Sequence, residues 1–110
     1  METINPNDFS KVDIRTGKII KVEDFPSANK PAYKLTIDFG PLGVKNSSAQ
    51  ITKLYKKEDL VGMEILAAVN LGQKQVADFI SEVLVLGVDT EEGVVLLTTE
   101  REVALGKKIS

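Results

Sequence analysis

The sequence contains no cysteine and no histidine, and these two absences exclude most catalytic and metal chemistry. Without cysteine there can be no disulfide, no thiolate zinc site and no thiol nucleophile. Without histidine the chain lacks the commonest general base and the commonest metal ligand. It also has no glycine-rich phosphate loop followed by Lys-Ser or Lys-Thr, so ATP use is not implied. We therefore expect a protein that is not an enzyme and that needs no metal and no cofactor.

Aromatic residues and positive charge are scarce as well. Aromatic residues make up 5% of the chain and tryptophan is absent, whereas surfaces that stack single-stranded bases usually use more aromatics. The net charge is −2, divided into +2 over residues 1–55 and −4 over residues 56–110. Because phosphate neutralisation supplies most nucleic-acid affinity, this balance disfavours strong RNA binding, although it is compatible with a local basic patch.

Long apolar runs are also missing. No stretch approaches the roughly 20 apolar residues of a membrane span, and the opening Met-Glu-Thr-Ile-Asn-Pro does not have the pattern of a signal peptide. The 110 residues are 43% hydrophobic and 27% charged, an ordinary globular balance with room for one core. We expect a single cytoplasmic domain, residues 1–110, with no membrane insertion.

The sequence does contain a series of short strand patterns separated by turns. In the clearest of them, Tyr33, Leu35, Ile37 and Phe39 occupy one face, which is typical of a half-buried antiparallel strand. Another strand is predicted from residue 14 onward, with Gly17 marking a bulge. Further strands are predicted over residues 44–50, 63–71, 83–88 and 94–98, the last two joined by a turn at 89–93.

Helical spacing is confined to residues 51–60, between the third and fourth predicted strands. A single turn is predicted near residues 8–12, and residues 72–80 are predicted to form an irregular loop with an apolar centre. Five or six strands with one short helix in this position predict an all-β fold. Within that class, the order of elements is the one expected of the OB-fold, a five-stranded Greek-key barrel, here with extensions at residues 1–12 and 99–110.

Several motifs resemble a known family. Asp13-Ile14-Arg15-Thr16-Gly17 resembles the start of the small tRNA-binding domains that occur free or appended to aminoacyl-tRNA synthetases. Within that family, further segments are similar to the CsaA-type export-related chaperones: Phe25-Pro26, Pro31-Ala32-Tyr33-Lys34-Leu35, Ile37-Asp38-Phe39-Gly40, Ser47-Ser48-Ala49-Gln50-Ile51-Thr52, Val69-Asn70 and Ser81-Glu82-Val83-Leu84-Val85-Leu86-Gly87. The resemblance runs from Phe9 to Ile109.

This resemblance implies an OB-fold whose terminal extensions build a homodimer. It implies partners that are unfolded or precursor proteins and the export machinery, whereas the wider family binds tRNA with little reading of sequence. Broader tRNA-binding domains tend to have His-Pro and Ser-Gly where this chain has Phe25-Pro26 and Ser47-Ser48. Together with the acidic second half, these two departures favour a peptide ligand over tRNA.

The residues proposed to bind peptide leave two interpretations open. The polar run at residues 46–50 can contact a ligand on the open face of the barrel or form a solvated edge strand. Ser81 can line a groove with Asn70 or cap a loop, and Val76 and Phe79 can line the groove or belong to the core. The peptide-binding candidates are Asn46, Ser47, Ser48, Gln50, Asn70, Val76, Phe79 and Ser81.

Two further sets complete the prediction. For tRNA as the alternative ligand, the candidates are Lys45, Lys53, Lys74 and Gln75, although lysines flanked by acidic residues often form solvated pairs instead. Tyr33 and Tyr55 are the aromatics best placed to stack on bases. The predicted dimer interface consists of Phe9, Val103, Leu105 and Ile109. The expected function is non-catalytic capture of unfolded polypeptide through apolar patches and edge hydrogen bonds. Alternatives are tRNA binding on the same face or a purely structural dimer.

Overall fold

The fold is organised around one long strand that pairs with two others. The computed structural model describes Met1–Ser110. Its strands are β1 (Ile14–Asp24), β2 (Tyr33–Asp38), β3 (Val44–Ala49), β4 (Glu64–Ala68), β5 (Lys74–Val76), β6 (Phe79–Ser81), β7 (Leu84–Val85), β8 (Gly87–Thr90) and β9 (Gly93–Leu96). Strand β1 pairs antiparallel with β4 through its first half and with β2 through its second half.

The main sheet has the strand order β3-β2-β1-β4-β7 and curls into a nearly closed barrel, while β5-β6 and β8-β9 form separate hairpins. Two short helices, α1 (Pro6–Ser10) and α2 (Lys57–Leu60), accompany the strands, with a 3-10 turn at Gly40–Leu42. Helix α2 lies between β3 and β4 along the chain, as expected. The predicted all-β, OB-type barrel is confirmed.

A single apolar cluster fills the barrel, and β2 supplies much of it. Leu35, Ile37 and Phe39 are at most 1% exposed, so the predicted inward face of this strand is confirmed. Ile19 of β1 and Ile65 of β4 are fully buried against them. Burying such side chains contributes roughly 1.5–3 kcal/mol each relative to exposure, which makes this cluster the main source of stability.

Gly17 does not mark the bulge in β1. The irregularity in the β1–β2 register falls between Ile19 and Lys21. Gly17 is instead required because Phe39 packs directly over it: a Cβ built at this position would lie 2.7 Å from the Phe39 ring. The glycine therefore permits a close approach of side chain to backbone.

The helix predicted over residues 51–60 is only partly present, because α2 spans its last four residues. The Tyr55 carbonyl accepts a hydrogen bond from the Tyr33 hydroxyl at 2.8 Å, and the Tyr55 hydroxyl accepts one from the Leu96 main-chain N–H at 3.0 Å. These bonds to other parts of the chain hold Tyr55 outside a helix. The helix then begins after Lys56, whose N–H donates to the Asp59 carboxylate.

The loop predicted at residues 72–80 is instead the β5–β6 hairpin, in which Val76 pairs with Phe79. Its two-residue turn has Ala77 at φ 52°, in the left-handed region. That turn normally carries glycine or asparagine, so its sequence gave no hairpin signal.

The strand predicted at 83–88 is divided into β7 and β8. Leu86 lies between them, donating to the Leu66 carbonyl at 2.9 Å and accepting from the Leu97 N–H at 3.2 Å. It thereby connects the barrel to the β8–β9 hairpin. The hairpin predicted around the 89–93 turn is confirmed, with its second strand ending at Leu96.

The C-terminal tail lies along the first residues of β1, on its own barrel. Thr16 donates to the Lys107 carbonyl and accepts from the Gly106 N–H, and Ile109 donates to the Ile14 carbonyl, at 2.7–3.0 Å. The tail thus occupies the edge of β1 that β2 leaves unpaired.

Candidate ligand-binding cleft

An open cleft of about 750 Å³ lies where the end of β3 meets the β5–β6 hairpin and the loop before β2. Six of the predicted binding residues line it: Ser48, Gln50, Lys74, Gln75, Val76 and Ser81. Four of these belong to the peptide-binding set and two to the tRNA set. The structure therefore brings half of each predicted set to one site.

The walls of the cleft are mostly aliphatic and polar, with no aromatic side chain. The aliphatic part consists of Ile51, Val76, Val83, Leu84, Val85, Val94 and Leu96, with several alanines. Leu84 is 51% exposed, although it is a large apolar residue. Such walls suit aliphatic side chains of a ligand better than stacked bases.

Three charged residues line the cleft: Lys30, Lys74 and Asp89. None of them takes part in any of the five ion pairs of the structure, all of which lie elsewhere. Both lysines are exposed. The cleft therefore offers positive charges that a ligand can neutralise.

Sequence reasoning missed the loop wall, residues 27–30, and the wall formed by residues 83–85. Nothing in the local sequence indicated that residues 27–30 face the hairpin. The contact between them is tertiary. The Ser27 hydroxyl donates to the Asp78 carboxylate at 3.1 Å, which joins the loop to the tip of the hairpin.

Phe79 does not project into the cleft. Its ring meets Phe25 edge-on at a centroid distance of 5.5 Å. The Lys34 Nζ lies 5.0 Å from the Phe25 ring centroid and 5.5 Å from that of Phe79. These contacts hold the hairpin against the barrel, so Phe79 packs within the protein in this structure.

The outer edge of β3 is closed by the last residue of β6, Ser81, and the residue that follows it, Glu82. Glu82 donates its main-chain N–H to the Asn46 carbonyl at 2.8 Å, and its carboxylate accepts the Asn46 N–H at 2.9 Å. The Ser48 N–H donates to the Ser81 hydroxyl oxygen at 3.1 Å. Asn46 and Ser81 are thus part of the closure of the barrel.

Two other candidates for peptide binding, Ser47 and Asn70, have side chains that contact their own chain in the structure. Ser47 is 0% exposed, so its side chain faces the barrel interior and not a ligand. The Asn70 amide accepts from the Asp13 N–H at 2.8 Å and donates to the Lys11 carbonyl at 2.7 Å. It ties the residues just before β1 to the chain after β4, away from the cleft.

The remaining tRNA candidates are not gathered into one surface. Lys45 and Lys53 lie outside the cleft lining. Tyr33 and Tyr55 are half-buried, lie outside the cleft lining and take part in the hydrogen bonds described above.

The termini form a second, smaller apolar groove of about 400 Å³. Phe9 and Ile109, both predicted at the dimer interface, lie together in its lining, and Phe9 is 47% exposed. Leu105 instead lies against Gly40 of the same chain. Val103 is half-buried and outside the groove.

Asp13 and Arg15 form a salt bridge with a distance of 2.7 Å from the guanidinium Nε to the carboxylate. The hydrogen bond from Arg15 lowers the pKa of the Asp13 carboxyl below its ordinary value. Arg15 also donates to the Gly106 carbonyl at 2.9 Å, so the pair holds the tail on β1. Both residues act here as structural groups.

No helix in the structure has the length and apolarity needed to cross a bilayer.

Comparison with known proteins agrees with the fold. The family model described as "Putative tRNA binding domain" matches residues 14–108. The crystal structure of CsaA chaperone protein from Picrophilus torridus has a TM-score of 0.94 and 57% identity, covering 98% of this chain and 100% of that one. Chaperone CsaA from Bacillus anthracis has a TM-score of 0.93 and 51% identity, covering 99% of this chain and 100% of that one.

A longer protein matches too. The methionine–tRNA ligase of Pyrococcus horikoshii is 38% identical over 109 residues, which is 99% of this chain. This chain spans 15% of that enzyme's length.

Proposed function

The chain belongs to the tRNA-binding domain family, and within it to the CsaA type, and from that membership we propose that it is a non-catalytic chaperone for unfolded polypeptides. Its clients are unfolded or precursor proteins on their way to export. Binding is reversible and takes place in the cleft between β3 and the β5–β6 hairpin. Neither ATP nor any other cofactor takes part.

The observation that carries this proposal is the aliphatic wall of the cleft, which contains no aromatic side chain. Each large aliphatic side chain of a client that is fully buried contributes roughly 2 kcal/mol. Two or three such side chains contribute about 4–6 kcal/mol, which corresponds to dissociation constants between about 1 mM and 40 μM, and the cost of ordering the client weakens binding further. Affinity of that order suits a chaperone that must release its client.

A second candidate function is binding of tRNA on the same face. It is favoured by the family model and by Lys30 and Lys74, which carry no ion-pair partner at the cleft. In this case the lysines contact backbone phosphates, and base stacking contributes little.

We also propose that the protein acts as a homodimer. The support is the groove between the N-terminal helix and the tail, where Phe9 presents an apolar ring to solvent. A second copy with the same groove covers this surface in a symmetric, self-complementary contact.

The deciding experiment is a titration of the protein with a permanently unfolded polypeptide and with total tRNA, each at low and high salt. Polypeptide binding that holds or tightens as salt rises supports the chaperone function. Affinity for tRNA that falls steeply with salt, without polypeptide binding, supports the second function instead.

Two variants localise the site. Leu84→Ser is expected to weaken polypeptide binding about tenfold, because it removes an exposed aliphatic group of the cleft wall. Leu71→Ser is the matched control, since Leu71 is similarly exposed, at 59%, and lies outside the cleft lining. Equal losses in both variants, or none in either, would contradict the cleft as the binding site.

A further inference from the structure

On the outer edge of β3, side-chain oxygens accept the main-chain N–H groups. In a longer sheet, the carbonyls of a neighbouring strand would stand at these positions. The Asn46 N–H is bonded to the Glu82 carboxylate and the Ser48 N–H to the Ser81 hydroxyl. Main-chain groups normally fill these positions in an antiparallel ladder. Only the Glu82 N–H reaches the Asn46 carbonyl as a strand would.

The same edge continues, unpaired, into the cleft. Because outward-pointing groups alternate along a strand, Gln50 follows Asn46 and Ser48 on this edge. The main-chain N–H and carbonyl of Gln50 form no hydrogen bond within the chain. Both Ser48 and Gln50 line the cleft. The edge is therefore half closed by side chains and half open, and the open half lies at the proposed binding site.

The segment that closes the edge has few bonds of its own. Strand β7 pairs with β4 over only two residue pairs, Ala67–Val85 and Ala68–Leu84. The β5–β6 hairpin on its other side is mostly exposed and is held by the Phe25–Phe79 contact and the Ser27–Asp78 bond. Glu82 is half-buried, and no lysine or arginine pairs with its carboxylate. A shift of residues 81–82 away from β3 breaks only the three bonds at Asn46 and Ser48, and it is bounded by Val83, which is buried in the core, and by the Lys74–Ser81 pair of the hairpin.

We propose that Ser81 and Glu82 are internal placeholders for a client strand on the β3 edge. An extended polypeptide binds antiparallel or parallel to β3 at Gln50, and its carbonyls then replace the Ser81 hydroxyl and the Glu82 carboxylate at the Ser48 and Asn46 amides. This inference rests on the proposed chaperone function and adds how clients are recognised, which is through their main chain. In the absence of a client, Ser81 and Glu82 keep the β3 edge from pairing with other molecules of this protein. Glu82 is a positioning residue that competes with the client.

The test compares Glu82→Ala with Glu82→Gln. The alanine variant lacks the acceptor, whereas glutamine keeps an acceptor oxygen and lacks the charge. Polypeptide affinity is expected to rise about three- to tenfold in Glu82→Ala, because the client carbonyl no longer competes with a carboxylate for the Asn46 N–H. Affinity is expected to change little in Glu82→Gln. Amide hydrogen exchange at Asn46 is expected to speed up in free Glu82→Ala and to slow again when an unfolded polypeptide is added.

Charge and ligand class are controlled separately. Glu58→Ala removes the same charge from exposed helix α2, and its binding is expected to match that of the parent chain. An equal gain in Glu82→Gln or Glu58→Ala would make charge the cause and overturn the inference. A gain for total tRNA but not for unfolded polypeptide would overturn it as well.

Three further outcomes are informative. If Glu82→Ala does not fold, NMR titration of the parent chain decides: the Asn46, Ser48 and Glu82 amide signals must shift on addition of unfolded polypeptide, and unshifted signals reject the placeholder. If the parent chain binds polypeptide and Glu82→Ala binds it no more tightly, only this inference fails. If neither binds any unfolded polypeptide, the proposed function fails and this inference fails with it.

Discussion

Thr16 and Lys107 are joined by two reciprocal hydrogen bonds. The Thr16 main-chain N–H donates to the Lys107 carbonyl at 3.0 Å, and the Lys107 N–H donates to the Thr16 hydroxyl oxygen at 3.0 Å. The same hydroxyl donates to the Ala104 carbonyl at 2.8 Å, and Thr16 is 2% exposed. One buried side chain therefore fastens the tail to β1.

Thr16→Val is expected to destabilise the fold by about 2 kcal/mol, because the Lys107 N–H and the Ala104 carbonyl each lose a buried partner. Chemical denaturation measures the loss, and limited proteolysis is expected to cut the tail earlier. Thr36→Val is the control, since the Thr36 hydroxyl on β2 has no hydrogen-bond partner among the side-chain bonds of the structure and lies half-exposed. Equal stability of Thr16→Val and the parent would contradict the fastening role.

Gly17 and Phe39 form a close contact that a methyl group would disrupt. Gly17→Ala places a Cβ 2.7 Å from the Phe39 ring and 2.8 Å from Ile37, so a loss of about 2 kcal/mol in unfolding free energy is expected. Phe39→Leu in the same chain makes room, and the double variant is expected to lose less than the sum of the single losses. Strict additivity in this double-mutant cycle would argue against the contact.

The inward face of β2 was predictable because a half-buried strand shows its burial as a period of two along the sequence. Leu35, Ile37 and Phe39 follow that pattern and are buried. The β5–β6 hairpin was not predictable, because its turn at Ala77 lacks glycine and asparagine and its attachment depends on Phe25, far away in the chain. Local patterns cannot show contacts of that range.

The candidate site was half predictable for a related reason. Ser48 and Gln50 stand out as polar residues on an edge strand, and they line the cleft. Asn70 looked equally polar, but its amide is used by the chain around Asp13. Only tertiary structure distinguishes a free polar group from one that satisfies a distant backbone.

The Asp13–Arg15 pair predicts a pH dependence of stability. Because the pKa of Asp13 in the folded chain is below the ordinary 3.8, the pair stabilises the fold fully above about pH 4 and progressively less as pH falls below 3.8. Asp13→Asn is expected to cost about 1 kcal/mol at neutral pH. The difference from the parent is expected to shrink in acid, as measured by denaturation at several pH values.

Glu100→Gln is the control for this prediction. Glu100 also pairs with an arginine, Arg101, but both side chains are more than 70% exposed, at 74% and 81%. No measurable change in stability is expected from its loss. A constant difference between Asp13→Asn and the parent at every pH would show that the carboxylate charge is not the cause.

Ala77 adopts a conformation that disfavours alanine, at φ 52° in the hairpin turn. Asparagine tolerates the left-handed region, so Ala77→Asn is expected to stabilise the hairpin by about 0.5–1 kcal/mol. Hydrogen exchange of the β5 and β6 amides measures local opening directly. Ala28→Asn in the facing loop is the control, because Ala28 has no positive φ; a similar effect of both substitutions would rule out the turn conformation as the reason.

The terminal groove predicts how the proposed dimer can be broken. Phe9→Asp puts a charge on the exposed ring position of the groove, and it is expected to convert a dimer of twice 12.0 kDa into the 12.0 kDa monomer in sedimentation at micromolar concentration. The barrel should stay folded, since α1 contains no buried residue.

Val61→Asp is the matched control for Phe9→Asp, because Val61 is 53% exposed and lies outside the groove. It is expected to leave the mass unchanged. A parent chain that sediments at 12.0 kDa would reject the dimer itself. A dimer that survives Phe9→Asp but dissociates in Val61→Asp would move the interface from the termini to the surface beside α2, because the charge then acts where it replaces a buried apolar contact.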